Sequence, residues 1–127
     1  MDDMIISTHV DMTIIPIDQV GIACALAPVT SADVDAVLPL LKLMCEPNRL
    51  RIFGYLSSSE RCVCEIEEYM RLPQNLVSHH LGVLRDAGFI RARRDGRWVH
   101  YSVNKQTLGE VYPTLCRLFN PDCVSDE

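Results

Sequence analysis

The chain lacks the long uncharged run and the basic leader that membrane and secreted proteins carry. Its longest uncharged stretch, Gln19–Ala32, is shorter than the roughly 20 apolar residues that cross a bilayer. Asp2 and Asp3 stand where a secretory signal would have Lys or Arg. We therefore expect a cytoplasmic protein with no membrane partner.

The sequence also lacks the residue sets on which common enzymes depend. It contains no HExxH run, no glycine-rich phosphate loop and no Ser, His and acid set typical of a hydrolase. A lone Cys-x-Cys is weak evidence for an oxidoreductase, which a thiol turnover assay with a dithiol reductant would expose. We expect no enzymatic activity and no catalytic cofactor.

An excess of positive charge is missing from the chain as a whole, which carries a formal net charge of −5. The charges are nevertheless unevenly distributed. Residues 71–105 contain seven Lys or Arg and two acids, whereas the rest contains five basic residues and fifteen acids. A basic segment in an acidic chain indicates one surface that faces a polyanion such as DNA.

The basic segment begins with a stretch whose spacing predicts a helix, Pro73–Gly88. Val77, Leu81, Leu84 and Gly88 recur at helical intervals and form an apolar stripe. The opposite side carries short polar and basic residues, which suit base edges in a DNA major groove. They are Asn75, Ser78, His79, Gly82 and Arg85.

Elements on both sides of this helix support a DNA-binding role. A short helix, Val63–Met70, precedes it after a tight turn, which gives a helix-turn-helix. Two alternating segments, Phe89–Arg94 and Arg97–Val103, follow it. Asp95-Gly96 between them predicts a two-residue type I′ hairpin turn. The hairpin is crowded by Arg91, Arg93, Arg94 and Arg97, so we interpret it as a basic wing.

Three further helices are predicted, over Ala32–Cys45, Asn48–Leu56 and Gln106–Phe119. Thr30-Ser31 would cap the first. Its predicted apolar stripe is Val34, Val37, Leu38, Leu41 and Met44. The second would turn Leu50, Phe53, Gly54 and Leu56 inward. The last has a broad stripe of Leu108, Val111, Tyr112, Leu115, Leu118 and Phe119. The first and last helices would either pair in a two-fold dimer interface, which we favour, or both cover one core.

The fold class expected from these elements is mainly α with a small β-hairpin, a winged helix-turn-helix. Residues 1–30 would be an N-terminal arm, residues 31–119 the DNA-binding and dimerisation domain, and residues 120–127 a polar tail. One domain is the natural count for 127 residues.

From Leu40 to Val103, half of the chain, the sequence resembles the ArsR/SmtB family of metal-responsive bacterial repressors. The motifs that carry the resemblance are Cys45-Glu46-Pro47-Asn48-Arg49-Leu50-Arg51-Ile52, Cys62-Val63-Cys64-Glu65, Ser78-His79-His80-Leu81 with Leu84-Arg85, Gly88-Phe89-Ile90, Asp95-Gly96-Arg97 and Tyr101. The resemblance implies a homodimer that binds a palindromic operator in double-stranded DNA and leaves it when metal binds.

The resemblance also assigns DNA contacts residue by residue. The matching base-reading positions are Gln74, Asn75, Ser78 and His79, and the matching wing positions are Arg93, Arg94 and Arg97. Arg85 lies on the same side of the helix and joins the expected DNA contacts. His80 is as compatible with a hydrogen-bonded core position as with a DNA contact.

Cys62 and Cys64 are the expected ligands for the inducer. Six cysteines in an intracellular-looking chain favour metal or redox chemistry over structural disulfides. The pair lies where a loop becomes a helix, and a helix N-terminus favours the metal-binding thiolate. Two thiolates select soft, thiophilic ions, so we expect As(III) or Sb(III), or Cd(II) or Pb(II). Cys45 we expect to be buried and structural.

The third ligand must come from elsewhere in the chain, because Glu67 stands where arsenic-sensing members of the resembled family often have a third cysteine. The cadmium- and lead-sensing branch recruits a thiol from its N-terminal arm, which makes Cys24 the first candidate and Cys116 or Cys123 the second. Zinc-sensing members use His and carboxylates on the last helix, where Glu110 is the only acid here, so we expect no such site. A repressor that responds to thiol oxidation without metal remains the alternative.

Overall fold

Five α-helices and a three-stranded antiparallel sheet make up the part of the chain that the computed structural model describes, residues 29–123. The elements are α1 (Ser31–Leu43), α2 (Pro47–Leu56), β1 (Arg61–Cys62), α3 (Val63–Met70), α4 (Gln74–Asp86), β2 (Ile90–Asp95), β3 (Trp98–Val103) and α5 (Lys105–Leu118), with a short 3₁₀ turn at Pro121–Cys123. The predicted mainly-α fold with a helix-turn-helix and a hairpin is confirmed.

Helix α1 begins at the predicted cap, but its buried face matches the predicted stripe only in part. The Thr30 hydroxyl accepts a hydrogen bond from the Asp33 backbone N–H at 3.2 Å, and Asp33 accepts one from the Thr30 N–H at 3.0 Å. Val37, Leu40 and Leu43 are buried, whereas Val34 and Leu38 are exposed. Apolar residues occupy nearly every position of the second half of α1, so periodicity could not identify the core-facing side.

Helix α2 also matches its prediction only in part, with Phe53 packed against the core as predicted. Ile52 and Leu56 are buried, but Leu50 is 54% exposed and Gly54 is exposed as well. Leu50 lies two residues before Ile52, about 200° away around the helix, so the two cannot both face the core. The helix starts where Glu46 accepts hydrogen bonds from the N–H groups of the next turn, at 2.7 and 3.0 Å.

The core joins one face of each of the first four helices to the base of the hairpin. The predicted stripe of α4 is confirmed, since Val77, Leu81 and Leu84 are buried. The helix ends at Asp86, and Gly88 beyond it has a φ of +90°, a conformation that glycine adopts at little cost. The buried cluster consists of Leu40, Leu43, Ile52, Leu56, Ile66, Met70, Val77, Leu81, Leu84, Phe89 and Ile90.

The sheet contains the predicted hairpin and a short third strand, β1, that no sequence pattern indicated. Its strand order is β1-β3-β2. The hairpin turn lies one residue later than predicted, because Asp95 pairs with Trp98 and the two-residue loop is Gly96-Arg97. Gly96 has a φ of +63° while that of Arg97 is not positive. A type I′ turn requires positive φ at both positions, so the loop corresponds to type II′ with glycine first.

Helix α5 closes the domain against α1 without burying any of its own residues fully. Leu108, Val111 and Leu115 pack against the edge of the core. Arg117 and Asp33 form an ion pair at 2.7 Å that joins the end of α5 to the start of α1. Within one subunit the two terminal helices therefore contact each other, and their role in a dimer stays a prediction. In residues 29–123 no helix is long and apolar enough to span a membrane.

Asn104 fixes the hairpin to the end of α4. Its side-chain amide donates a hydrogen bond to the Gly88 carbonyl at 2.9 Å, its backbone N–H donates to the Phe89 carbonyl at 2.9 Å, and its side-chain oxygen accepts from the Thr107 N–H at 3.4 Å to cap α5. This half-buried residue thus sets the orientation of the wing relative to α4.

We expect Asn104→Ala to lower the free energy of unfolding by about 1–2 kcal/mol, because it removes a helix cap and leaves the Gly88 carbonyl unpaired. Urea denaturation followed by circular dichroism measures the change. Asn75→Ala, at an exposed position of α4, is the matched control and should change stability by less than about 0.5 kcal/mol. Equal stability of the two variants would contradict this role for Asn104.

Candidate nucleic-acid interface and thiol site

Helix α4 presents the predicted polar side to solvent. Gln74, Asn75, Ser78, His79 and Arg85 are all exposed. The helix enters from α3 through Arg71, which adopts a left-handed conformation with φ 55° and donates its N–H to the Glu67 carbonyl at 2.9 Å. Only Leu72 and Pro73 separate this cap from α4. The tight connection leaves the outer face of α4 free to enter a groove, and the DNA contacts themselves stay predictions.

His80, in contrast, is part of the core. It is 4% exposed. Its Nδ1 lies 3.4 Å from Arg49 Nη1, and its Nε2 lies 3.8 Å from Glu46 Oε1. Arg49 can only donate, so Nδ1 is the acceptor and the ring is neutral. Burial lowers the pKa of His80, with Glu46 opposing the shift, which favours that neutral form. The core interpretation of His80 holds, and a direct DNA contact is excluded by its burial.

Arg49 and Glu46 are structural residues whose joint role the sequence did not reveal. Arg49 donates from Nε to the Leu43 carbonyl at 2.9 Å, so it ties the end of α1 to His80 on α4. Hydrogen bonds from the Arg49 and Asn48 N–H groups lower the pKa of Glu46 against the effect of burial. A Glu-Pro pair at a helix start signals the cap, but the link to His80 spans 31 positions.

The wing arginines lie along β2 and the hairpin turn. Arg91, Arg94 and Arg97 are exposed. Arg93 is exposed too, but it is held by Glu60, donating from Nε at 3.1 Å and from Nη2 at 2.8 Å. The Arg93 hydrogen bonds lower the pKa of Glu60, and Glu60 in turn raises the pKa of Arg93. This acidic partner of an expected DNA contact was not predicted.

The two motif cysteines flank the start of α3. Cys62 ends β1 with extended backbone (φ −78°, ψ 160°), and Cys64 is the second residue of the helix. The Cys62 N–H donates to Glu65 Oε1 at 2.8 Å. Both are free thiols, Cys62 half-buried and Cys64 exposed. The extended conformation of Cys62 would let the two side chains converge, whereas a regular helix would turn them about 200° apart.

Strand β1 holds Cys62 against the wing. Arg61 pairs with Tyr101 and Cys62 with His100 on β3. The Arg61 guanidinium lies over the Tyr55 ring at 4.3 Å and donates to the Ser58 hydroxyl at 3.0 Å, which anchors the strand to α2. Two residues show no alternation, so no sequence signal could have identified this strand.

The remaining cysteines do not complete a metal site in the part of the chain that is described. Cys24 lies outside residues 29–123. Cys116 is half-buried on α5. A hydrogen bond between the Cys116 and Tyr112 side chains raises the pKa of Tyr112. Cys123 ends the 3₁₀ turn, and Cys45 is exposed, contrary to the expectation of burial. Across residues 29–123 no three His, Cys, Asp or Glu side chains come together as metal ligands. The ligand set therefore stays a prediction.

A tight helix-turn-helix with an exposed polar second helix, followed at once by an arginine-rich hairpin, defines a winged helix-turn-helix DNA-binding protein. Residues 46–92 match the model of the family described as bacterial regulatory protein, arsR family. The chain belongs to this family of transcriptional regulators.

Similar proteins agree with this assignment. An uncharacterized HTH-type transcriptional regulator of Methanocaldococcus jannaschii is 34% identical over 73 residues, which cover 57% of this chain and 82% of the relative. The arsenical resistance operon repressor of Staphylococcus aureus is 32% identical over 76 residues, or 60% of this chain and 73% of the relative. The structure of reduced HlyU from Vibrio cholerae N16961 matches with a TM-score of 0.59 and 28% identity, over 71% of this chain and 95% of HlyU.

Proposed function

We propose that the protein is a dimeric repressor that binds operator DNA and is released when a thiophilic ion binds Cys62 and Cys64. The ion would be As(III) or Sb(III), or Cd(II) or Pb(II). The single observation that carries the proposal is the position of the two thiols. Both flank the start of α3, the helix directly before the expected recognition helix, and Cys62 pairs with β3 of the wing.

The chemistry of this position suits soft ions. The amino end of α3 bears partial positive charge, which favours thiolates over thiols. Thiolates prefer soft ions to hard ones such as Mg²⁺ or Ca²⁺. A third thiolate, from Cys24 first or from Cys116 or Cys123 second, would complete a three-sulfur set. The Staphylococcus aureus relative is named as an arsenical resistance operon repressor, which supports the metalloid branch of the proposal.

A titration of DNA binding tests the proposal. A duplex selected by the protein from a random library would be labelled and followed by fluorescence anisotropy with the fully reduced protein. As(III), Sb(III), Cd(II), Pb(II) and Zn(II) would be added in turn. Release by at least one of the first four at stoichiometric concentration is expected, and retention of DNA with all four would refute the metal response.

Thiol oxidation is the second candidate, and it is favoured by two free thiols that lie two residues apart at the same helix start. A disulfide between Cys62 and Cys64 would alter the same position without metal. HlyU, a structural neighbour, has a structure of its reduced form. Two results together would favour this candidate over the first. Diamide or peroxide should release the DNA in a buffer that contains a chelator, and dithiothreitol should reverse that release. The ions, added without chelator, should not release the DNA.

Substitutions should distinguish phosphate contacts made by the wing from base contacts made by α4. Arg94→Ala or Arg97→Ala should weaken binding to all duplexes and reduce the slope of log affinity against log salt by about 0.9, because each lost phosphate contact releases fewer counterions. Gln74→Ala or Ser78→Ala should leave that slope unchanged and reduce discrimination between duplexes by roughly 1–3 kcal/mol. Anisotropy at several salt concentrations measures both quantities. A wing variant with an unchanged slope would contradict the docking model.

A further inference from the structure

Glu60 lies at the meeting point of the thiol segment and the wing. It directly precedes β1, two residues before Cys62, yet its carboxylate is bonded to Arg93 on β2, 33 positions away. Both N–H groups on one edge of the Arg93 guanidinium, Nε and Nη2, are directed to Glu60, at 3.1 and 2.8 Å. That edge is one with which arginine binds a phosphate or carboxylate through two parallel hydrogen bonds. Glu60 therefore binds N–H groups with which Arg93 could otherwise contact a DNA phosphate.

A row of directly paired residues crosses the sheet at the same place. Cys62 pairs with His100, and His100 pairs with Arg93 on its other side. Directly opposite residues of antiparallel strands share a face of the sheet. His100 adds a smaller electrostatic contribution to that of Arg93 in lowering the pKa of Glu60. Cys62 is thus connected to Arg93 through the strand pairing and through the nearby Glu60.

The Glu60–Arg93 ion pair is weak enough for a competing anion to displace it. Both side chains are partly exposed, at 55% for Arg93 and 38% for Glu60. Exposed ion pairs contribute little to stability because water and salt screen them. The pair can therefore break when a DNA phosphate approaches Arg93, provided that β1 can move enough for Glu60 to withdraw.

We propose that Glu60 competes with operator phosphate for Arg93, and that an ion or a disulfide at the Cys62–Cys64 pair decides the competition in favour of Glu60 by fixing β1. Control of the competition by the Cys62–Cys64 pair rests on the function proposed above, whereas the competition between Glu60 and DNA phosphate does not. Glu60 is a positioning residue in this scheme: it binds neither the ion nor the DNA, and it sets whether Arg93 is available.

A double-mutant cycle tests the competition with the metal-free, reduced protein. Glu60→Gln should bind the selected duplex about two- to fivefold more tightly than wild type, with a salt slope steeper by about 0.9. In an Arg93→Ala background the same substitution should have no effect. Glu68→Gln on α3, an exposed acid with the same change of charge, is the control and should bind as wild type does. A gain that persists without Arg93 would mean that only the general charge matters, and no gain in either background would equally overturn the competition.

Addition of the ion that releases the wild type tests the link to the thiols. Glu60→Gln should still bind the ion, measured with Cd(II) by thiolate-to-metal absorbance, but the ion should lower its DNA affinity by a smaller factor. A factor equal to that of the wild type would overturn the link. If neither ions nor oxidants release the wild type, the link fails together with the proposed function, while the cycle in metal-free buffer still decides the competition.

Discussion

Cys62→Ser and Cys64→Ser should each abolish release of DNA by the inducing ion while leaving metal-free DNA affinity within about twofold of wild type. Each substitution removes one of two converging sulfur ligands, and serine oxygen is a poor ligand for a soft ion. Neither side chain belongs to the buried core, so the DNA-binding domain should remain folded. Moving a complex from 99% bound to 99% free requires about 5.5 kcal/mol of differential affinity, which two remaining ligands should not supply.

Anisotropy titrations of ion into the protein–DNA complex measure this effect, with urea denaturation to verify folding. Cys45→Ser is the matched control, because Cys45 is an exposed cysteine just beyond α1 and should respond as wild type does. Cys24→Ser should weaken or abolish the response if the third thiolate comes from the N-terminal segment. Release that survives both Cys62→Ser and Cys64→Ser would disprove the site. Release lost only with Cys116→Ser or Cys123→Ser would keep the repressor and place the decisive ligands at the C-terminal end.

Sequence patterns predicted those parts of the fold that depend on neighbours along the chain. The stripe of Val77, Leu81 and Leu84 on α4 follows from helical spacing, and the hairpin follows from alternation around Asp95-Gly96. The Thr30 cap was likewise local, since its partner Asp33 is three residues away. The hairpin turn was misplaced by one residue because strand register depends on which residues pair across it, and Asp95 pairs with Trp98.

The features that were missed depend on contacts between distant residues. Strand β1 exists because β3 offers it an open edge, and the pairing of Cys62 with His100 spans much of the chain. The Glu60–Arg93 pair and the Arg49–His80 contact join residues that are more than 30 positions apart. Side chains this far apart have no common periodicity. The core-facing sides of α1 and α2 were predicted only in part for a related reason, since several apolar stripes were available and only packing selects one.

Leu38→Asp should convert the protein from a dimer to a monomer and weaken binding to the selected palindromic duplex by about 100-fold or more. Among residues 29–123, the terminal helices retain apolar residues that are more than a third exposed. Val34 is 42% exposed, Leu38 36% and Phe119, just after α5, 66%. If these residues meet a second copy, a carboxylate at Leu38 would be buried without a partner there. Linked recognition helices gain about 10²–10⁴ in affinity from effective concentration, and a monomer loses that gain.

Sedimentation equilibrium measures the mass, and anisotropy with full and half palindromes measures the loss of linkage. Leu38 is a better test position than Leu115, because Leu115 packs against the core and a charge there would also destabilise the single subunit. Leu50→Asp is the matched control: Leu50 is an exposed leucine on α2, away from the terminal helices, and the variant should remain a dimer with near-normal affinity. Unchanged mass for Leu38→Asp would remove this face of α1 from the interface, and the exposed Phe119 would then be the next position to test.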